Sequence, residues 1–270
     1  MKVQRKSYAT DITDEQWKKI APWIPWAKPG GRNRKTSMRE VVNAVFYVLR
    51  TGCAWRMLPH DFPAWSTVYD YFRHWRINGV WKKIHDALRA NVRVQAGREP
   101  EPSAAILDSQ SVKTTEKGGV HGYDAGKKVN GRKRHLIVDT IGLILAIVVH
   151  PANIQDRDGA KLVLEKIRNV SKRLQLIWAD GGYTGQLIDW VKTTFQWTLE
   201  IIKRSDDQKG FKVLPRRWVV ERTFGWLGRY RRLSKDYEYM TETSETMAYI
   251  AMIHVMVRRL TTPPLKEKRR

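Results

Sequence analysis

The sequence predicts an α/β domain with a mixed sheet, preceded by an all-α region, and three observations carry that prediction. Up to about residue 95 the apolar residues recur at helical spacing, whereas from residue 105 short β-type apolar runs alternate with helical stretches. Between them the string RVQAGREPEPSAA interrupts both patterns with Gly, Pro and charges. Strands followed by alternating helix and strand are the signature of an α/β fold. The expected division is therefore a helical domain over 1–95, a linker over 96–104 and an α/β domain with C-terminal helices over 105–270.

In the N-terminal region, Thr13 followed by Gln16 resembles a capping box opening a short helix with Trp17, Ile20 and Ile24 on one side, limited by Pro22 and Pro25. Ser37 and Glu40 form a second such pattern before Val41, Val42, Ala44, Val45, Val48 and Leu49, with Gly52 as the stop. Ser66 is the expected cap of a third helix burying Val68, Tyr71, Phe72 and Trp75, and a fourth follows Gly79 with Trp81, Ile84 and Leu88. A basic helical module of this size fits a helix-turn-helix, with Thr67, Tyr69, Asp70, Arg73 and Arg76 toward the exposed side of the recognition helix. It fits a dimerisation or packing domain equally well, because the connection is longer than the tight turn of the standard motif.

Beyond the linker, strands are expected at Ala105–Leu107, His135–Val138, Leu143–Val149, Leu174–Ala179 and Thr198–Ile202, and helices at about 156–170, 185–195, 215–233 and 244–260. The tail KEKRR reads as a disordered basic end.

Lys and Arg number 50 against 27 Asp and Glu, a net charge of +23 on a chain with 12 Trp and 10 Tyr. A folded, aromatic-rich and strongly basic protein points to a polyanion, nucleic acid being the commonest. One cysteine excludes an internal disulfide and a cysteine-rich zinc module. No secretory signal is evident, and the apolar runs at Leu143–Val149 and Tyr249–Val257 are far shorter than the roughly 20 residues that span a bilayer. A cytoplasmic protein is expected, without a membrane partner.

Two strand candidates, AAILD and LIWAD, run straight into an aspartate, Asp108 and Asp180. Ligands of open α/β sheets bind at such strand ends. Two carboxylates brought together there repel, and a divalent cation such as Mg²⁺ or Mn²⁺ would neutralise them; either aspartate alone is a common loop start. In PRRWVVERTFGWLGRYRRL, drawn as a helix from Pro215 to Leu233, the residues Val219, Val220, Thr223, Trp226, Leu227, Tyr230 and Leu233 form one stripe. Arg217, Glu221, Gly225, Gly228 and Arg232 fall opposite. Two glycines on one helix face, each costing about 1 kcal/mol relative to Ala, suggest that a phosphodiester chain approaches closely. An ordinary solvated face with an Arg217–Glu221 pair is the plainer alternative.

ILDSQSV, GRKRHLIVDT, HPANIQDRD, WADGGYTG and RRWVVERTFGWLGRYRRL, together with TDEQWKKIAPWIP, GCAWRMLP and STVYDYFRHW, resemble bacterial insertion-sequence transposases of the insertion-sequence-five family over nearly the whole chain. The resemblance implies a ribonuclease H-like domain with a five-stranded mixed sheet flanked by helices. It implies an acid triad of Asp108, Asp180 and Glu221, which are both catalytic and metal-holding. Separations of 72 and 41 residues match versions with no large insertion before the glutamate. Many relatives place Tyr and Arg before that glutamate and Lys after it; here Arg217 takes the Arg position, but Leu214 and Gly228 take the other two. Arg229, Lys113 or Lys133 are candidates for the missing charge.

The expected activity is metal-dependent cleavage and strand transfer at the terminal inverted repeats of an insertion sequence, with two Mg²⁺ ions per site about 4 Å apart and Mn²⁺ substituting. The partner is double-stranded DNA, at transposon ends and target. A homodimer or higher oligomer is expected on synapsis, in a bacterial or archaeal cytoplasm and nucleoid-associated. Lys113, Arg132, Lys133, Arg134, His135, Arg217, Arg229, Arg232, Thr67, Tyr69 and Arg73 are the expected DNA contacts, His135 being equally readable as structural. Asn153, Asp156 and Asp158 read most simply as caps; Tyr183 and Trp218 read as core residues or, alternatively, as platforms for a splayed base. The competing functions are a regulatory DNA-binding protein retaining the fold without cleavage, and a nuclease that cuts without joining.

Overall fold

The computed structural model describes residues 5–27, 30, 34–116, 118–168, 171–202 and 217–262. Four helices come first: α1 (Asp14–Ile20), α2 (Met38–Thr51), α3 (Trp65–Ile77) and α4 (Val80–Gln95). Thr13 closes a full capping box with Gln16. Ser37 caps α2, but the box is left half-made because the Glu40 carboxylate accepts from Arg5 Nε at 2.7 Å instead. Gly52 ends α2 at φ +75°, where an added Cβ would lie 3.1 Å from Arg231 Cβ, so both conformation and space require glycine. The third helix starts two residues earlier than expected: Ala64 is its cap, and Ser66 lies inside the first turn.

The strands are β1 (Ala104–Lys113), β2 (Gly122–Asp124), β3 (Val129–Asp139), β4 (Ile144–Pro151), β5 (Leu176–Ala179) and β6 (Thr198–Ile201). The sheet runs β3-β1-β5-β6, with β4 and the short β2 both pairing with β3. β1 is antiparallel to β3 and parallel to β5, which is parallel to β6. All five expected strands are present and β2 is a sixth. Two, β1 and β3, are much longer than expected, because polar stretches such as Ser109–Lys113 and Arg132–Arg134 continue the antiparallel ladder beyond the apolar runs. Gly131 is fixed by that ladder, since a Cβ there would come within 2.0 Å of the Val112 carbonyl oxygen.

The remaining helices are α5 (Asp156–Ile167), α6 (Gln186–Phe195), α7 (Trp218–Gly228) and α8 (Thr241–Thr261). Pro215, Leu214 and the tail KEKRR lie outside the described residues. The helix expected to run unbroken to Leu233 ends instead at Gly228, and a short 3-10 turn over Arg231–Leu233 follows. Two helix-weak glycines and an extended Tyr230 break the wheel.

Two cores sandwich the sheet. One, with Leu145, Ala160, Val163, Leu164, Tyr183 and Leu187, lies under α5 and α6. The other is continuous from Ile12 and Ile20 through α2, α3 and α4 to Leu136, Ile144 and the buried residues of α8. Residues 96–104 therefore connect two groups of elements that share one core. Arg93 clamps the junction, donating from Nη1 to fully buried Asp139 at 2.7 Å and from Nε to the Glu99 carbonyl.

Candidate active site

Asp108 sits in β1 and Asp180 immediately follows β5; in the parallel register Ile106 lies beside Trp178, so each aspartate stands two residues beyond a shared position. Helix α7 packs on β1, its buried side being Val219, Val220, Thr223 and Leu227, which leaves Glu221 on the side of the two aspartates. Arg217 immediately precedes that helix. Its Nη2 lies 3.9 Å from Asp108 Oδ2, 3.4 Å from Asp180 Oδ2 and 3.9 Å from Glu221 Oε1. Three carboxylates from three separate elements thus surround a single cationic nitrogen. Their side chains grade from floor to solvent, 16%, 33% and 54% exposed for Asp108, Asp180 and Glu221.

Burial raises the Asp108 carboxyl from its usual 3.8 to about 6; the Ser109 N–H donated to Oδ1 at 2.7 Å opposes the shift, and Asp180 adds to it. Asp180 also accepts the Gly182 N–H at 2.9 Å, which fixes its rotamer. A crowded, acceptor-only oxygen set of this kind fits a hard divalent cation. Among the described residues no three such groups are already drawn in to ligand spacing. The guanidinium of Arg217 stands among the three acids.

A second layer lies beside Asp108. Ser109 Oγ donates to Asp156 Oδ1 at 3.0 Å, and Lys133 Nζ pairs with the same oxygen at 2.9 Å and with Asp124 at 3.6 Å. Tyr183 is buried and its hydroxyl meets His135 Nε2 at 3.1 Å; His135 Nδ1 meets His150 Nε2 at 2.8 Å, and His150 Nδ1 meets the Pro151 carbonyl at 2.8 Å. Because a carbonyl only accepts, the protons run one way: His150 Nδ1–H donates to Pro151, His135 Nδ1–H to His150, and the Tyr183 hydroxyl to His135. Burial holds both imidazoles neutral, pushing His135 down to about 3.

Several of the expected DNA contacts are engaged within the chain itself. Arg132 is fully buried, donating to the carbonyls of Gly118, Val120, Glu238 and Tyr239 beside Asp236. Arg134 is buried against the Leu233 and Lys235 carbonyls. Lys133 and His135 are consumed as described. β3 is central in the sheet, paired on both edges, and its basic run is engaged within the fold. Arg232 is half-buried after the helix break, bonded to Glu238 and the Cys53 carbonyl, and no longer shares the Glu221 face. Lys113, Arg229, Tyr69 and Arg73 are exposed and Thr67 half-buried. Trp218 is 41% exposed, and Tyr183 is a core residue. Asp156 opens α5, with its carboxylate turned to Ser109 and Lys133. Lys127 went unnoticed in the sequence: from the β2–β3 turn its Nζ reaches the Ser109 carbonyl at 3.3 Å, next to Asp108, and only the unforeseen hairpin brings it there.

Three acids from two neighbouring strands and the helix packed on them converge on one point of the sheet, and the family matches give the class of enzyme. The family described as "Transposase DDE domain" matches residues 99–256, and "putative transposase of IS4/5 family" matches residues 12–85. The chain belongs to the DDE transposases of the insertion-sequence 4/5 type, DNA-cleaving and DNA-transferring enzymes with a ribonuclease H-like fold. It is similar to the insertion element IS402 uncharacterized 16.2 kDa protein of Burkholderia cepacia, 34% identical over 115 residues that cover 40% of this chain and 76% of that one. It is also similar to the uncharacterized protein y4sN of Sinorhizobium fredii, 25% identical over 121 residues (45% and 87%). A putative transposase for insertion sequence element IS402 of Burkholderia cepacia is 29% identical over 115 residues (40% and 54%). No helix among the described residues is long and apolar enough to cross a membrane.

Proposed function

We propose that this transposase binds the terminal inverted repeats of its insertion sequence and cuts and joins DNA strands at Asp108, Asp180 and Glu221, acting as a dimer or higher oligomer when two ends are synapsed. The observation that carries the proposal is the convergence of the three carboxylates on one cationic centre. Asp108, Asp180 and Glu221 would hold two Mg²⁺ ions, with Mn²⁺ substituting; when bound, they supply activation of the attacking oxygen and charge neutralisation at the departing one.

The chain's own residues do the rest. Asp108, kept on a rigid central strand, and Asp180, fixed by the Gly182 N–H, pre-set the donor positions. Arg217 neutralises the acids before DNA arrives; its guanidinium, at the mouth of the site, is then the nearest donor to an incoming phosphate. Lys127 adds positive charge on the far side of Asp108. Tyr69, Arg73 and Thr67 on α3 supply contacts remote from chemistry, with Lys113 and Arg229 as backbone contacts.

The test is incubation of the purified chain with DNA bearing the element's own ends, with and without Mg²⁺ or Mn²⁺, beside Asp108→Asn, Asp180→Asn and Glu221→Gln. Metal-dependent 3′-end cleavage and joining, lost in all three variants while end binding survives, is expected. Specific end binding without cleavage by the wild type would retire the triad as a working site and leave a regulatory DNA-binding protein.

A further inference from the structure

On the flank of α7 away from the triad lies an open cleft of about 470 Å³, bordered by the end of α4, the β3–β4 turn and the end of α8. Its charged lining is cationic, Arg222 and Arg259. Arg222 lies over the rings of Trp218 and Trp226, 4.3 and 4.7 Å from their centroids, and Arg259 lies 4.2 Å from the Trp226 centroid. Arg222 donates once, from Nη2 to the Ile141 carbonyl at 2.9 Å, while its buried Nε has no partner. Neither arginine has an ion-pair partner among the described residues. The nearest acid, Asp139, is taken by Arg93 and by the Ile141 and Leu143 N–H groups. Two like charges packed against the same indole without a counter-ion make a site for an external anion, and the planar guanidinium suits the oxygens of a phosphodiester.

A second, independent feature joins this cleft to the active site. With about 100° per residue, Glu221 and Arg222 occupy neighbouring faces of α7, and Gly225 lies on the ridge between them. A Cβ added at Gly225 or at Gly228 meets nothing within 4 Å, so no packing inside the chain requires either glycine. Gly225, inside the helix, forfeits about 1 kcal/mol of helix propensity. The bare ridge lets a backbone pass close to the helix.

We propose that this cleft is a second DNA site, in which Arg222 and Arg259 grip the phosphodiester backbone of a strand that leaves the triad and crosses α7 over Gly225. The inference rests on the proposed function in taking DNA as the ligand at the triad.

Its test is the salt dependence of binding by the full chain to a short duplex carrying the element's end. Wild type is compared with Arg222→Gln, Arg259→Gln and the double variant, all carrying Glu221→Gln to exclude cutting. Each lost phosphate contact lowers the logarithmic salt slope by about 0.9, so across a four-fold rise in salt the wild-type background should lose about twelve-fold more affinity than the double variant, and about 3.5-fold more than either single variant. Arg259 makes no hydrogen bond among the described residues, so Arg259→Gln keeps the test sound should Arg222→Gln unfold. An unchanged slope in folded variants overturns the proposal, and is also the result expected of a cleft that serves an acidic protein partner. End cleavage by the wild type with unchanged slopes removes the cleft alone. Flattened slopes in a chain that never cleaves remove the triad reading and keep the cleft.

Discussion

Replacing Asp108 by Asn should stabilise the metal-free protein. The native carboxyl titrates at about 6 because burial on β1 disfavours its charge, whereas in the unfolded chain it returns to 3.8. The native state therefore holds this proton more tightly, and its contribution is fully present below pH 3.8 and lost as pH rises through about 6. The gap amounts to ~3 kcal/mol against the native state above pH 7, as an upper bound. Asn is neutral, has the same shape, and keeps the acceptor for the Ser109 N–H. In urea unfolding with a chelator at pH 8 the variant should gain ~1–3 kcal/mol over wild type, shrinking to about 0.6 kcal/mol at pH 4. Added Mg²⁺ should stabilise only the wild type. A variant no more stable than wild type at pH 8, or an advantage equal at both pH values, would refute the reasoning.

Three further outcomes are expected. Arg132→Met should cost ~3–5 kcal/mol in urea unfolding, since it strands Asp236 and four carbonyls, and should leave the salt slope of DNA binding unchanged; a flattened slope would return Arg132 to the DNA interface. Tyr183→Phe leaves His135 Nε2 without its donor and should destabilise by ~1–3 kcal/mol, so an unaltered unfolding midpoint would break the proton order assigned to the Tyr183–His135–His150 chain. Gly225→Ala should raise stability by up to ~1 kcal/mol while weakening DNA binding, as measured by urea melts and anisotropy on one preparation; a gain in both would show that nothing passes over that ridge.

What was legible in the sequence was whatever periodicity and chain ends express directly. Thr13, Ser37 and Gly52 mark helix limits through local hydrogen bonds and φ, so α1 and α2 were readable. Apolar runs ending in Asp108 and Asp180 pointed to both aspartates, although β1 continues past Asp108 to Lys113 and only Asp180 follows the end of its strand, and the α7 stripe placed Glu221 on the opposite face. Legibility failed where tertiary context overrides composition. A basic run reads as solvated surface, yet Arg132 and Arg134 find carbonyls from segments about a hundred positions away, which no local pattern announces. The helical wheel carried α7 past Gly228 because angular periodicity is blind to backbone propensity. Ser109–Lys113 lacks apolar alternation and is strand only because β3 pairs with it.

The core shared by α1–α4, the sheet and α8 bears on where the enzyme cuts. On the proposed function, the module that reads the element's end and the acids that sever it are mounted on one chassis, with Arg93 bolting the joint. Such a frame acts as a fixed caliper. Lengthening residues 96–104 would add slack to a connection that does not set the gap between the jaws. A duplex seated one base pair out of phase, displaced by about 3.4 Å along its axis, would offer the acids the neighbouring phosphate. Precision of excision would then be a property of the buried packing around α8, and loosening that helix should scatter the cut sites before it abolishes cutting.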